Sequence, residues 1–447
     1  MGRSRSGLFK NLVVFFVSVV ALTLGYYQNE WHAAGKKWFI EWQKKHEHVI
    51  VARLVQSRQT GVFSYGALPG FGDITTWDVN DSVIEHEYDF FANGGQFKAY
   101  WTYDSDPALQ SIPFSLLERF AGLAPATDLK LFRLSEAILA ATVLGFFLIW
   151  ILGQFGLTAA LVTLAFMLAS EWLTLFGANF YWNLWAFYLP LTAFSFYLQR
   201  SSKNGHYRSH DVFLLLAGTM LVKCLVTGFE FISTALVMPF TAMFYYALRD
   251  RWAWKVFLRR FLSAALSALT GAIVALAVLS AQISSVLGGW NPALQFIMHT
   301  FGKRSFGDPA NYSGIEAQSL TTNLFSVLEI YWSGRALNLN SVLHINMPGF
   351  EITYSQIFAL FALFTLLFLL RDRFFGGFPQ QKTAYALVVT TWLSALAPLS
   401  WFVLFKAHSY IHTQMNFIIW QMPFTLFGFA LCGFVLANLF RRTGADE

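Results

Sequence analysis

Residues 134–153 read Leu-Ser-Glu-Ala-Ile-Leu-Ala-Ala-Thr-Val-Leu-Gly-Phe-Phe-Leu-Ile-Trp-Ile-Leu-Gly, twenty residues with one charge. An α-helix rises 1.5 Å per residue, so this stretch spans the ~30 Å hydrocarbon core of a bilayer. Comparable apolar runs occupy residues 8–27, 157–175, 180–198, 211–229, 231–248, 261–284, 354–370, 384–404 and 414–439. The sequence therefore predicts an all-α polytopic membrane protein with about ten transmembrane helices. Composition agrees: 56% of the 447 residues are hydrophobic, only 13% are charged, and 48 are Phe. Soluble domains carry about 25% charged residues. Within the first run the uncharged stretch Leu12 to Tyr27 follows Arg3, Arg5 and Lys10 and precedes Gln28-Asn-Glu-Trp-His32. No small-residue cleavage site lies there, which predicts a retained signal anchor over 1–27.

Loop charges set the expected orientation. Basic clusters sit at Arg3/Arg5/Lys10, Arg200/Lys203/Arg208, Arg249/Arg251/Lys255/Arg259/Arg260, Arg371/Arg373/Lys382 and Arg441/Arg442. With ten spans all five clusters fall on one side, which the positive-inside rule makes cytoplasmic. Both termini are then cytoplasmic, and the expected home is the bacterial inner membrane. Two long loops face the periplasm, residues 28–133 and 285–353. They separate helices 2–7 (134–284) from helices 8–10 and the tail (354–447). The net charge of +6 is explained by these short basic loops, so no nucleic-acid partner is expected. Cys224 and Cys432 both lie inside expected spans and suggest neither disulfide nor zinc. No Walker-type phosphate loop is present and the cytoplasmic loops are short, which argues against ATP-driven transport by this chain.

The first long loop carries the chemistry. Its segment His46–Arg58 places Ile50, Leu54 and Val55 on one helical face, the pattern of a helix lying on the membrane surface. From Asp73 to Asp106 eight acidic residues face one basic one, Lys98, amid Trp77, Tyr88, Phe90, Phe97, Tyr100, Trp101 and Tyr103. Aromatic faces stack on sugar rings, and carboxylates accept hydroxyl protons or hold a divalent cation. Asp78, Asp81, Asp104 and Asp106 are the candidate catalytic acids. The bland alternative is a solvated loop with acids on its surface.

Cations at membrane depth come next. Lys223 and Glu230 share a helical face if their helix runs through both, either as an ion pair or with Lys223 on a phosphate. Lys303-Arg304 and Arg335 offer further phosphate ligands. His408 and His412 stand i, i+4 and are candidates to contact the donor's phosphate or sugar, or simply to hydrogen-bond at the interface; the spacing suits zinc only with a third ligand the neighbouring sequence lacks.

This layout resembles the GT-C superfamily of integral membrane glycosyltransferases, locally in Tyr103-Asp-Ser-Asp-Pro-Ala-Leu-Gln110, in Lys223 to Glu230-Phe-Ile-Ser-Thr234, and in Lys406-Ala-His-Ser-Tyr-Ile-His-Thr413. Size and layout are similar to those of the pilin arabinosyltransferases. The resemblance implies a GT-C-like fold with interfacial helices in the first periplasmic loop. It implies a polyprenyl-phosphate-linked sugar donor, with arabinofuranose as the candidate sugar, and a periplasmic acceptor, either a protein such as pilin or a glycan. The sugar would be transferred with inversion. Many relatives carry an acidic pair soon after the first span; here only Glu30 is that close, and Asp104-Ser-Asp106 is the one Asp-x-Asp. Which acid is the base stays open, as does a divalent cation. Two other readings remain: a lipid-linked sugar flippase or transporter, and a polysaccharide polymerase or ligase.

Overall fold

The computed structural model describes residues 5–74, 80–345, 347, 350–374, 378 and 380–440. Asp78, Arg3, Arg441 and Arg442 lie outside the described residues. The chain is almost wholly helical. The first helices are α1 (Arg5–Gln28), α2 (Lys36–Thr60), α3 (Asp81–Asn93), α4 (Ser111–Ala121), α5 (Pro125–Phe155), α6 (Leu157–Ala169) and α7 (Glu171–Gly177). Then come α8 (Leu184–Asn204), α9 (Ser209–Thr227), α10 (Ile232–Arg249), α11 (Trp254–Leu287), α12 (Trp290–Arg304), α13 (Gly314–Thr321) and α14 (Leu324–Ser333). The last are α15 (Leu339–Leu343), α16 (Tyr354–Phe374), α17 (Gln381–Leu393), α18 (Leu396–Leu404), α19 (Lys406–Ile411), α20 (Thr413–Asn416) and α21 (Phe424–Asn438). Two antiparallel pairs of short strands complete the described fold: β1 (Gly70–Gly72) with β2 (Tyr100–Thr102), and β3 (Arg335–Asn338) with β4 (Glu351–Thr353).

Among the described residues, six helical stretches are long and apolar enough to cross a membrane: Gly7–Gln28, Pro125–Phe155, Ser209–Thr227, Trp254–Leu287, Gln381–Leu404 and Thr413–Asn438. A seventh is the pair α6–α7, bent by 72° at Ser170. Helices also occupy the other three expected positions, as α8, α10 and α16. Ten was the expected number of crossings; length and apolarity support six or seven.

The spans begin and end where sequence chemistry says they should. Pro125 opens α5 at a position whose N–H needs no partner, and Gly156 closes it with φ 90°. The pairs α9–α11, α1–α5, α6–α21 and α8–α10 form the bundle. At the α9–α11 crossing a Cβ on Gly271 would come within 2.3 Å of the Ala217 carbonyl oxygen. Small residues let backbones approach in this way where lipid supplies no hydrophobic drive between helices.

The first long connection folds into a compact cap. Asn80 caps α3 by accepting from the N–H groups of Ser82 and Val83, and Gly94 ends it in the left-handed region. Helix α2 corrects the expectation of a surface-lying helix with one free polar face. Residues 47–57 are all buried, their polar members included. The charges are buried because they are matched. Glu47 takes two hydrogen bonds from Arg133 Nε and one from Nη2 (3.2, 2.9 and 2.5 Å), with the Tyr88 hydroxyl nearby at 3.4 Å. His48 lies 2.7 Å from Glu87, whose other oxygen accepts the Gly72 N–H. These contacts lock α2 to α3, α5 and β1.

The second long connection is pinned to the same end of the bundle. Arg335 pairs with both oxygens of Glu171 at 2.8 Å and with Glu351 at 2.7 Å. The Ser341 hydroxyl and the His344 ring reach Ala34 and His32 of the first connection. The two long connections thus share one end, where the polar groups collect.

Candidate active site

Helix α9 stops at Thr227 because Gly228 turns away with φ 59°, and Phe231 is also left-handed before α10 starts. This turn ends the helix before Glu230, so the condition for Lys223 and Glu230 to share a helical face is not met. The Lys223 ammonium is fully buried and meets main chain instead of the Glu230 carboxylate. It donates to the carbonyl oxygens of Gly228 (2.9 Å) and Glu230 (2.6 Å). A lysine closing the carbonyls at a helix C-terminus is a favourable use of its charge.

The Glu230 side chain is thereby aimed elsewhere. One oxygen accepts from Arg304 Nη1 at 2.6 Å and lies 3.5 Å from His408 Nε2. The other oxygen is buried with no protein partner, as is His408 Nδ1. Burial alone pushes this carboxyl up, but His408 and Arg304 overcome it and hold Glu230 well below the usual carboxylate range. The His412 ring sits 4.7 Å from that of His408. Burial, reinforced by His408, pushes His412 down to about 3.

The acidic pair of the first connection arrives on the same turn. Tyr103 N–H donates to Pro69 O, and Leu109 N–H to Leu225 O at the end of α9. Gln282 of α11 donates to both Gly66 O (2.8 Å) and Pro107 O (3.2 Å). Between these ties Asp106 lies against Gly228, where a Cβ would stand 3.1 Å from its carboxyl. Any side chain at 228 would displace the acid, and the positive φ would be strained besides. Asp106 accepts the Ala108 N–H at 2.9 Å. Burial pushes its carboxyl up to about 7, against the pull of Ala108 N–H, Lys223 and Arg304.

Asp104 faces a cavity of about 420 Å³ between α11, α12 and α18. The walls are mostly apolar, among them Phe229, Ile232, Leu276, Leu279, Phe296 and Trp401; Asp104, Ser105, Thr300 and Arg304 supply the polar part. One Asp104 oxygen is buried and unpartnered. Burial raises this carboxyl too, opposed by the Thr102 side chain.

Seven of the residues singled out by sequence therefore converge: Asp104, Asp106, Lys223, Glu230, Arg304, His408 and His412. The others do not join them. Asp81 is exposed in the first turn of α3, where its charge complements the helix dipole. Lys303 turns to Glu316 at 3.0 Å, and Arg335 is held by Glu171 and Glu351. Among the described residues no group of three or more His, Cys, Asp or Glu is placed to hold a metal. Tyr181, within electrostatic reach of Tyr103, Asp106, Glu230 and Arg304, was not foreseen. Nor was Gln282; its one signal was a glutamine inside an otherwise apolar run.

Two results are expected here. Gln282→Leu leaves two carbonyls without their donor, and each buried unmet group costs about 1–3 kcal/mol. Thermal unfolding in detergent should show that loss, and an unchanged midpoint would mean the tether is idle. For Asp106, the folded chain holds its proton more tightly than the unfolded one between 3.8 and about 7. Stability from this group is complete below that window and falls as pH rises through it. Asp106→Asn should flatten this decline when unfolding is followed from pH 4 to pH 8; parallel curves for the two proteins would refute it.

No known protein family, curated protein or solved structure matches this chain.

Proposed function

We propose that this protein is a GT-C-type membrane glycosyltransferase that moves a sugar from a polyprenyl-phosphate donor to an acceptor hydroxyl. One observation carries the reading: an apolar cavity that ends on a part-buried arginine and a carboxyl group with one unpartnered oxygen. An isoprenoid chain suits the apolar walls. The phosphate suits Arg304, oriented by Glu230 and still holding N–H donors beyond the one Glu230 takes.

In the proposed step Asp104 takes the proton from the acceptor hydroxyl. The hydroxyl oxygen forms a bond to the anomeric carbon while the bond from that carbon to the phosphate oxygen breaks. Polyprenyl phosphate leaves with the electron pair, and Arg304 stabilises the charge that develops on it. A single displacement inverts the anomeric centre. The donor brings its own activation, so no nucleotide is needed. Lys223 sets the Gly228–Phe231 turn and so aims Glu230. Asp106 and His408 surround the same point.

The loop charges support an inner-membrane chain with both ends cytoplasmic and this site on the periplasmic side. Arabinofuranose as sugar, and pilin or a glycan as acceptor, follow from the resemblance of the sequence alone. A flippase for the same lipid would also bind in the cavity, yet it would have no use for an acid with a free oxygen at the cavity's polar end.

The test is purified full-length protein in nanodiscs, given a panel of polyprenyl-monophosphate sugars with envelope extract as acceptor. Release of free polyprenyl phosphate with sugar incorporation is expected. Bound donor that is never cleaved, in folded protein, would favour transport.

A further inference from the structure

We infer that α12 docks on the bilayer itself, lying across the end of the bundle in the boundary between acyl chains and headgroups. This goes beyond the transferase reading and stands whether or not that reading holds. The argument starts from two faces of one short helix. Inward, Ala293, Phe296 and Ile297 pack on Leu279 and Ile283 near the end of α11. Fifteen residues make a helix of about 22 Å. At its far end Phe301 meets Phe405, and Arg304 reaches Glu230 at the start of α10. The helix therefore bridges from α11 to the α10 and α18–α19 region, across helix ends and not along one of them.

Outward, Trp290, Leu294, Met298 and Phe301 are 58%, 51%, 67% and 54% exposed, the last two also lining the cavity. Their spacing of four, four and three places them in one stripe. Water is a poor partner for such a face, and contiguous exposed apolar patches mark an interaction surface. The occupant follows from continuity. Helix α11, which is long and apolar enough to span, carries exposed Leu262, Leu266, Leu269, Ile273 and Leu287 along its length. The chain then turns at Gly288 and Gly289, and Trp290 extends the exposed apolar surface directly. Tryptophan is enriched at headgroup level, which suits the first residue after a span. An amphipathic helix whose apolar face continues that of a spanning helix has lipid as its fitting partner. In that setting the stripe runs from the end of α11 to the 420 Å³ cavity, which Met298 and Phe301 also line.

The test labels full-length protein in liposomes with a nitroxide on Leu294→Cys or Met298→Cys, and on Ser313→Cys as reference. Cys224 and Cys432 are buried, and unsubstituted protein gives the labelling background. All three changes sit on exposed side chains, so the fold is not at stake. Collisions with oxygen, which concentrates in lipid, are compared with collisions with a water-soluble nickel chelate. At 294 and 298 the oxygen-to-nickel ratio should exceed that at 313 several-fold. A ratio equal to that at 313 would put the stripe in water and overturn the proposal. Low access to both reagents would also overturn it, by showing that protein, not lipid, covers the face.

Discussion

Asp104→Asn should lower release of polyprenyl phosphate by about 10²–10⁴-fold, the usual contribution of a positioned general base. The substitution keeps shape and hydrogen-bonding reach and removes only the ability to take a proton. Asp104 is the acid at the cavity, with a buried oxygen that no protein group uses. Asp106 is different: its carboxylate already accepts the Ala108 N–H and lies wedged against Gly228. Side by side, Asp104→Asn should keep donor binding and lose turnover. Near-native turnover in Asp104→Asn, with loss in Asp106→Asn, would move the base two residues along the chain. Native turnover in both would remove the pair from the mechanism.

The second large effect is on stability. Glu230→Gln takes the carboxylate from between Arg304 and His408, both turned toward it in a buried setting. Breaking a buried ion pair from one side costs about 3–5 kcal/mol, because the remaining charge stays in place without compensation. The denaturation midpoint in detergent should fall accordingly. Adding Arg304→Met should recover part of the loss, since the orphaned charge goes with it. A double variant no more stable than Glu230→Gln would show that the pair does not act as a unit. Activity should be lost in either case, because the phosphate ligand loses its orientation or disappears.

Much of the fold was legible because lipid imposes a length. A helix must be about 20 apolar residues long to cross, and this periodless signal survives even where single boundaries drift. Each expected span has a helix at its position. The cap was less legible. Residues 47–57 read as one-sided because Glu47, His48 and Arg53 look like solvent-facing groups; their partners Arg133 and Glu87, and the carbonyl oxygen of Val62 that Arg53 reaches, occupy other stretches of chain. A charge can be buried when a partner matches it, and sequence does not show the match.

The candidate site divides along the same line. Residue type marked Asp104, Asp106, Glu230, Arg304 and the two histidines, since ionisable groups near the membrane are costly and need a purpose. Direction was beyond reach. Lys303 and Arg304 are neighbours in sequence, but about 100° apart around a helix, so only one of them can meet Glu230. Lys223 and Glu230 fit an ion pair by spacing; the turn at Gly228 between them, and the left-handed Phe231 just after, sent the lysine to carbonyl oxygens.

The site's members are also scattered along the chain, and that bears on how a cell makes the protein. Arg304 trails its partner Glu230 by 74 residues. His408 follows Asp104 by roughly 300 residues, which at ribosomal speeds is about 15–60 s. For the 74 residues before Arg304 emerges, about 4–15 s at the same speeds, the nascent chain holds Glu230 without the arginine that pairs with it. Insertion must therefore shelter Glu230 until α12 and α19 emerge, and a message truncated before α19 yields a polypeptide that retains most of its spans yet has an incomplete charge cluster at their end.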